Sequence, residues 1–147
     1  MAAMQTYDLR TGPEAMDIAA IHDFLSTAYW SPGIPREVVA RAVAHSVCVG
    51  AFHADRQVGF ARMVSDRATF AYLCDVYVLP AHRGRGLARR LVQALLGLPE
   101  LQGLRRVMLA TRDAHGLYAQ LGWKPLAAPE RFMEIHRPDV YGPAGGR

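Results

Sequence analysis

The chain has 147 residues, a net charge of +4, about half of its residues apolar and a fifth of them charged. That length suits one domain with a core of its own. No apolar run approaches the roughly 20 residues of a membrane span, and the start "MAAMQTYDLR" has no basic region followed by an apolar one, so a cytoplasmic protein without a membrane anchor is expected.

The first candidate element is a strand, "MQTYDLR". In "TGPE", Thr11 and Glu14 stand three apart around Pro13, a helix-start pattern. The helix it predicts carries Ile18, Ile21, Leu25 and Ala28 on one stripe. "YWSPGIP" ends that helix, and a shorter one is expected from about Arg36 to His45, with Val39, Ala42 and Val43 inward. Three strand-like runs follow, "SVCVGAFHA", "QVGFARMVS" and "ATFAYLCDVYVL", joined by turns at "ADRQ" and "DRA". Cys48 and Cys74 lie in these runs outside any CxxC or Cys/His pattern, and the six histidines are scattered. Buried free thiols and no metal site are therefore expected. A helix to about Gly97, a strand "RRVMLAT", a short helix "RDAHGLYAQLGW" and a last strand "RFMEIHR" complete the order β-α-α-β-β-β-α-β-α-β. The domain is read as residues 1–137 and the Pro/Gly-bearing segment 138–147 as a loose tail. A meander followed by a strand–helix–strand crossover implies a mixed α/β fold, with helices on both faces of one sheet.

Chemistry concentrates in "VLPAHRGRGLARRLVQALL". Leu87, Leu91 and Leu95 mark a helix face, and the helix is expected to begin near Gly84. Its first N–H groups have no intrahelical partner and form the positive end of the helix dipole. Gly84 and Gly86 admit a ligand to the backbone, while Arg83, Arg85 and Arg89 add forked donors. Three or four bonds to a charged group, at about 1.5–3 kcal/mol each, suffice for a micromolar diphosphate site. A solvated basic turn and a nucleic-acid patch are the alternatives that the residues leave open. The spacing is neither the dinucleotide GxGxxG nor a P-loop, and no helix-turn-helix, zinc or RRM signature accompanies it.

At this point the chain resembles a known family. "RGRGLA", Arg83 to Ala88, is similar to the Q/R-x-x-G-x-G/A signature of the GCN5-related N-acetyltransferases (GNAT), and "LCDVYVLP" precedes it as in that family. "AHGLYAQLGW" resembles the family's A-x-x-L-Y-x-x-x-G-F helix, and the element order agrees from Met4 to about Arg137. The resemblance implies a mostly antiparallel mixed sheet of six to seven strands and acetyl-CoA as acyl donor. The pyrophosphate would sit on the amides of Arg85, Gly86, Leu87 and Ala88, with Arg83 and Gly84 shaping the turn. The pantetheine would pair with the strand around Val76, Tyr77 and Val78. Arg89 and Arg90 would meet the 3′-phosphate or face solvent. Thr111 stands where the family often has asparagine, and it would reach the pantetheine together with Ala114 and Tyr118. Gly116 inside that helix is unusual.

The activity so implied is direct attack of an amine on the thioester. Tyr118 would protonate the leaving thiolate, a core tyrosine being the alternative. Asp75, a lone carboxylate in "YLCDVYV", would deprotonate or bind the amine, or else pair with an arginine such as Arg62 or Arg112. Tyr29 and Trp30 would wall the acceptor pocket or merely cover the core, and Phe132 and Asp66 are weaker candidates. A small-molecule amine is favoured over a protein, no nucleic-acid or membrane partner is expected, and a homodimer is possible. A non-catalytic acyl-CoA sensor and a basic nucleic-acid-binding module are the competing functions.

Overall fold

Each of the three central β-branched and aromatic runs forms a strand. The computed structural model describes residues 6–142. Its strands are β1 (Asp8–Thr11), β2 (Val47–His53), β3 (Arg56–Ser65), β4 (Phe70–Val78) and β5 (Arg106–Leu109). They make one sheet in chain order, antiparallel from β1 to β4 and parallel between β4 and β5. The helices are α1 (Ile18–Leu25), α2 (Arg36–Ala44), α3 (Leu87–Leu96) and α4 (His115–Gln120).

Turn chemistry sets the register. His53 faces Arg56 across a two-residue loop whose residues Ala54 and Asp55 both have positive φ (50° and 64°), as a type I′ hairpin requires. At the β3–β4 turn, Asp66 Oδ1 accepts the N–H groups of Ala68, Thr69 and Phe70. Asp66 is thus committed to the turn rather than to a binding site.

Helices cover both faces, as expected. Leu87, Leu91, Val92 and Leu95 of α3 pack on Val49, Ala51, Ala61, Met63, Ala71 and Leu73. On the other face Ile21 and Leu25 of α1 and Val39 and Val43 of α2 meet Cys48, Phe52, Phe60 and Tyr77. Tyr141 packs beside this second cluster.

Three boundaries differ from expectation. Thr11 ends β1 and Pro13–Ala15 is a single 3₁₀ turn; the cap of α1 is Asp17, whose Oδ1 accepts Ala20 N–H at 3.1 Å. The buried Gln57 side chain fixes that entry by accepting Asp17 N–H at 2.8 Å, a contact from β3 that local sequence does not reveal. Helix α3 starts at Leu87 instead of Gly84, because Gly84 and Gly86 have φ of 78° and 76° and stay outside the helix. The described residues form five strands, not six or seven, since "RFMEIHR" finds no neighbouring ladder. A strand needs a partner, whatever its propensity. Met4 and Gln5 of the expected first strand lie outside the described residues.

Candidate active site

β4 has two unlike halves. From Ala71 to Leu73 it pairs β3 on one side and β5 on the other. Then the register with β3 slips by one residue, and Asp75 adopts a left-handed conformation (φ 57°). This is a β-bulge, which bends the strand before its ladder with β3 resumes at Tyr77. β5 stops at Leu109, so the two parallel strands separate like the arms of a V. Leu79 N–H bonds Val58 C=O, so the neighbouring Val78 turns its own N–H and C=O towards the open side.

The glycine-rich loop closes one end of this V. Arg83 Nε donates to Val78 C=O at 2.8 Å, folding the loop back against the strand. A Cβ added at Gly84 or Gly86 would meet nothing within 4 Å, so these glycines face open space and answer to backbone conformation, not to packing. Gly86 caps α3 without a side-chain partner, leaving the first N–H groups of the helix directed into the cleft mouth. The residues fit a diphosphate: a bare backbone cradle, a helix N-terminus and flanking arginines. Leu87 is buried under the loop and Ala88 lines the cleft. Arg89 also lines it and donates to Gln120 Oε1 at 2.8 Å, whereas Arg85 and Arg90 are exposed.

The cleft beside the loop has a volume of about 660 Å³ and adjoins a second chamber of about 370 Å³ deeper in the V. Val76, Ala114 and Tyr118 line both. Tyr118, on α4, is 8% exposed and its hydroxyl has no hydrogen-bond partner among the described residues. Burial, and to a smaller degree the Tyr29 hydroxyl, pushes it above the ordinary tyrosine value, so it keeps its proton at neutral pH. Thr111 Oγ1 accepts Ala114 N–H at 3.0 Å, fixing the approach to α4, and its side chain faces the deeper chamber.

Asp75, in the wall of the deeper chamber, has two side-chain partners. Trp30 Nε1 donates to Asp75 Oδ1 at 2.8 Å, and Arg62 Nε donates to Asp75 Oδ2 at 2.9 Å. Arg62 also reaches Ser46 Oγ at 3.0 Å. Asp75 thus takes the arginine-paired arrangement, with both oxygens occupied. Nearer the mouth the Arg112 guanidinium lies 3.8 Å from the centre of the Tyr29 ring. Tyr29 and Trp30, from the α1–α2 loop, therefore do form a wall of the chamber. Cys74 lines it as well, but burial pushes its thiol up to about 12 against the pull of Arg62, so it is no thiolate at neutral pH.

Most of the residues singled out from the sequence converge here. Tyr77 does so at the cleft floor, its ring stacked on Phe24 at 4.1 Å. Phe132 and Asp66 do not; Phe132 lies under the Arg106 guanidinium instead. Sequence reasoning missed Tyr72, and it left open both which arginine Asp75 takes and what Arg112 does. It also missed the cluster of Tyr7, His53 and His82, in which Tyr7 Oη and His82 Nδ1 are 2.9 Å apart beside the glycine loop. The only signal for His82 was its place next to Arg83. Among the described residues no cluster could hold a metal ion and no helix is long and apolar enough to cross a membrane.

Comparison with known proteins agrees with this architecture. The sequence profile of the "Acetyltransferase (GNAT) family" matches residues 15–123. A crystal structure from Xanthomonas campestris pv. campestris, of a protein assigned to the GNAT acetyltransferases, is 48% identical. It covers 96% of this chain and 100% of its own, with a TM-score of 0.91. A protein of Gibberella zeae assigned as an acetyltransferase is 34% identical over 93% of this chain and 90% of that one. Serotonin N-acetyltransferase 2, chloroplastic, of Oryza sativa subsp. japonica is 28% identical over 92% of this chain and 70% of that protein. A fold neighbour from Clostridium acetobutylicum, solved with acetyl-CoA, is 15% identical over 89% of this chain and 96% of its own, with a TM-score of 0.68.

Proposed function

Given that the chain belongs to the GNAT family of acetyltransferases, we propose that it transfers an acetyl group from acetyl-CoA to a primary amine, a small molecule in preference to a protein. The observation that carries this reading is the continuous cleft that joins the glycine cradle, the open half of β4 and the Tyr118 hydroxyl. The neighbour solved with acetyl-CoA and the serotonin N-acetyltransferase relative support the donor and the amine.

In this reading the N–H groups at the start of α3 hold the pyrophosphate, and Val76 and Val78 pair with the pantetheine amides. The amine enters from the chamber walled by Tyr29 and Trp30. Freeing an alkylamine of its proton at pH 7.4 costs about 4 kcal/mol, and solvent takes that proton. The amine nitrogen attacks the thioester carbonyl, the C–S bond breaks, and Tyr118 gives its proton to the departing sulfur. The amide nitrogen's surplus proton restores the phenol. Asp75 is a positioning residue here, holding Trp30 by one oxygen while Arg62 holds the other. With its thiol protonated, Cys74 is no acyl carrier, which favours direct transfer over a covalent enzyme intermediate.

A thermal-shift titration with acetyl-CoA, CoA and ADP tests the donor, and thiol release across a panel of amines tests the acceptor. A saturable rise in melting temperature with acetyl-CoA is expected. No shift at millimolar acetyl-CoA would sink the reading. Binding without thiol release for any amine would favour the non-catalytic sensor.

A further inference from the structure

The deeper chamber has a definite balance of charge. An amine that arrived as a cation would need a free carboxylate, and Asp75 is not free. Trp30 Nε1 holds one of its oxygens at 2.8 Å and Arg62 Nε the other at 2.9 Å. The Arg62 and Asp75 side chains are only 16% and 10% exposed, and opposite charges so close cancel as seen from the rest of the chamber. Among the described residues that line it, the other charged side chains are Arg112 and Asp113. Asp113 is 70% exposed and stands 3.7 Å from the Arg112 guanidinium, beyond hydrogen-bonding distance, so water screens that contact. The charge left uncommitted in the chamber is therefore a cation, Arg112.

Arg112 is also oriented. Its Cζ lies 3.8 Å from the centre of the Tyr29 ring. So short a separation fits a face-on stack, because an N–H aimed at the ring would keep the carbon further away. Stacking occupies one face of the guanidinium and leaves its in-plane N–H groups for other partners. None of them makes a hydrogen bond among the described residues. The ring beneath is anchored in turn, since Tyr29 meets Trp30 edge-on at 5.0 Å and Trp30 is tied to Asp75. Arg112 lines both the chamber and the cleft, as Tyr118 does. On the reading that this site acetylates a primary amine, we propose that the acceptor is an amine that carries a carboxylate, an amino acid, and that Arg112 holds the carboxylate in its forked N–H groups. A planar fork matches the two oxygens of a carboxylate. The same charge repels an ammonium, so it disfavours an acceptor with a second cationic group and favours the neutral nitrogen that attack requires. A chamber of about 370 Å³ has room for a molecule of amino-acid size.

The test is thiol release from acetyl-CoA with a set of amino acids and their carboxamides, on the wild type and on Arg112→Gln. Acid and amide differ in amine basicity, but both proteins see the same difference. The quantity read is therefore the acid-to-amide ratio of kcat/KM in the wild type divided by that ratio in the variant. It is expected to reach about tenfold for the best acid, through KM more than kcat. Arg112→Lys, which keeps the charge and loses the fork, should recover only part of the preference. Asp113→Asn spares the stack, removes the competing carboxylate and should strengthen the preference. Binding gives a second readout without turnover: with CoA present, the N-acetyl derivatives of the same acids should raise the melting temperature of the wild type more than that of Arg112→Gln. Release with amides and acids alike, in proportions that Arg112→Gln does not change, overturns the proposal and leaves acetyl transfer to an amine standing. Release with neither set overturns both.

Discussion

The two halves of β4 are both mostly apolar and have opposite fates. In the first half, Ala71 and Leu73 are at most 2% exposed and the backbone is paired on both sides. In the second half, one bulge at Asp75 withdraws the backbone of Val76 and Val78 from β5 and turns it into the wall of a cleft. A paired strand is worth stability; an unpaired but rigid strand is worth binding. The chain holds the second kind rigid by β3, whose Arg62 grips one oxygen of Asp75 while Trp30 grips the other.

That contrast can be broken from either half. The largest effect is expected at the open half's chemical partner: Tyr118→Phe should lower kcat about 100- to 1,000-fold with acetyl-CoA affinity unchanged. A proton donor works only while protonated, and burial raises this one, so its activity is lost only as pH rises through a value above about 10. The wild-type kcat/KM is therefore expected to climb with amine deprotonation through pH 9 without an earlier fall. A Phe variant within twofold of wild type would remove Tyr118 from the chemistry.

In the paired half, Leu73→Ala should cost about 3–4 kcal/mol in chemical denaturation by leaving a cavity, while the folded fraction keeps its KM values. Arg62→Met sits between the two behaviours. It leaves the Asp75 carboxylate largely buried with one partner lost, at about 3 kcal/mol. It also unpins the Asp75 carboxylate that holds Trp30, so the acceptor KM should rise severalfold while that of acetyl-CoA does not. Equal rises in both would mean that the bridge braces the whole cleft.

Gly86→Val probes the cradle. A β-branched residue at φ 76° costs about 1–2 kcal/mol of stability, and its side chain fills the cradle, so acetyl-CoA affinity should drop at least tenfold in calorimetry. The smallest effect is expected at Asp66, which pins the N–H of Phe70 at the head of the paired half. Hydrogen bonds from the Thr69 hydroxyl and from the N–H groups of Thr69, Ala68 and Phe70 hold its carboxyl well below the usual range. Its stabilising contribution is therefore complete above about pH 4 and fades as pH falls further. Asp66→Asn should flatten that acid limb of the melting temperature and leave activity unchanged.

Local pattern was enough for what local forces decide. The amphipathic stripes placed α2 and α3 to within a few residues, and the turn at "ADRQ" followed from the residues themselves. The glycines and arginines of "RGRGLA" raised the expectation of a phosphate, because the unpartnered N–H groups of a helix start and bare backbone favour an anion. The resemblance to the GNAT family added the pairing of that loop with Tyr118, some 30 residues further on.

What the amino-acid order alone determined, then, is the order of the elements as far as α4 and the family, with the glycine–arginine loop ahead of α3. Tertiary structure decided three things that no window of sequence holds. It chose which arginine neutralises Asp75, because Arg62 stands opposite Cys74 across two strands, while Arg112 was drawn to Tyr29. It moved the start of α1 to Asp17 through Gln57, forty residues away. And it left "RFMEIHR" without a ladder, since strand pattern becomes a strand only where another edge lies within hydrogen-bonding reach.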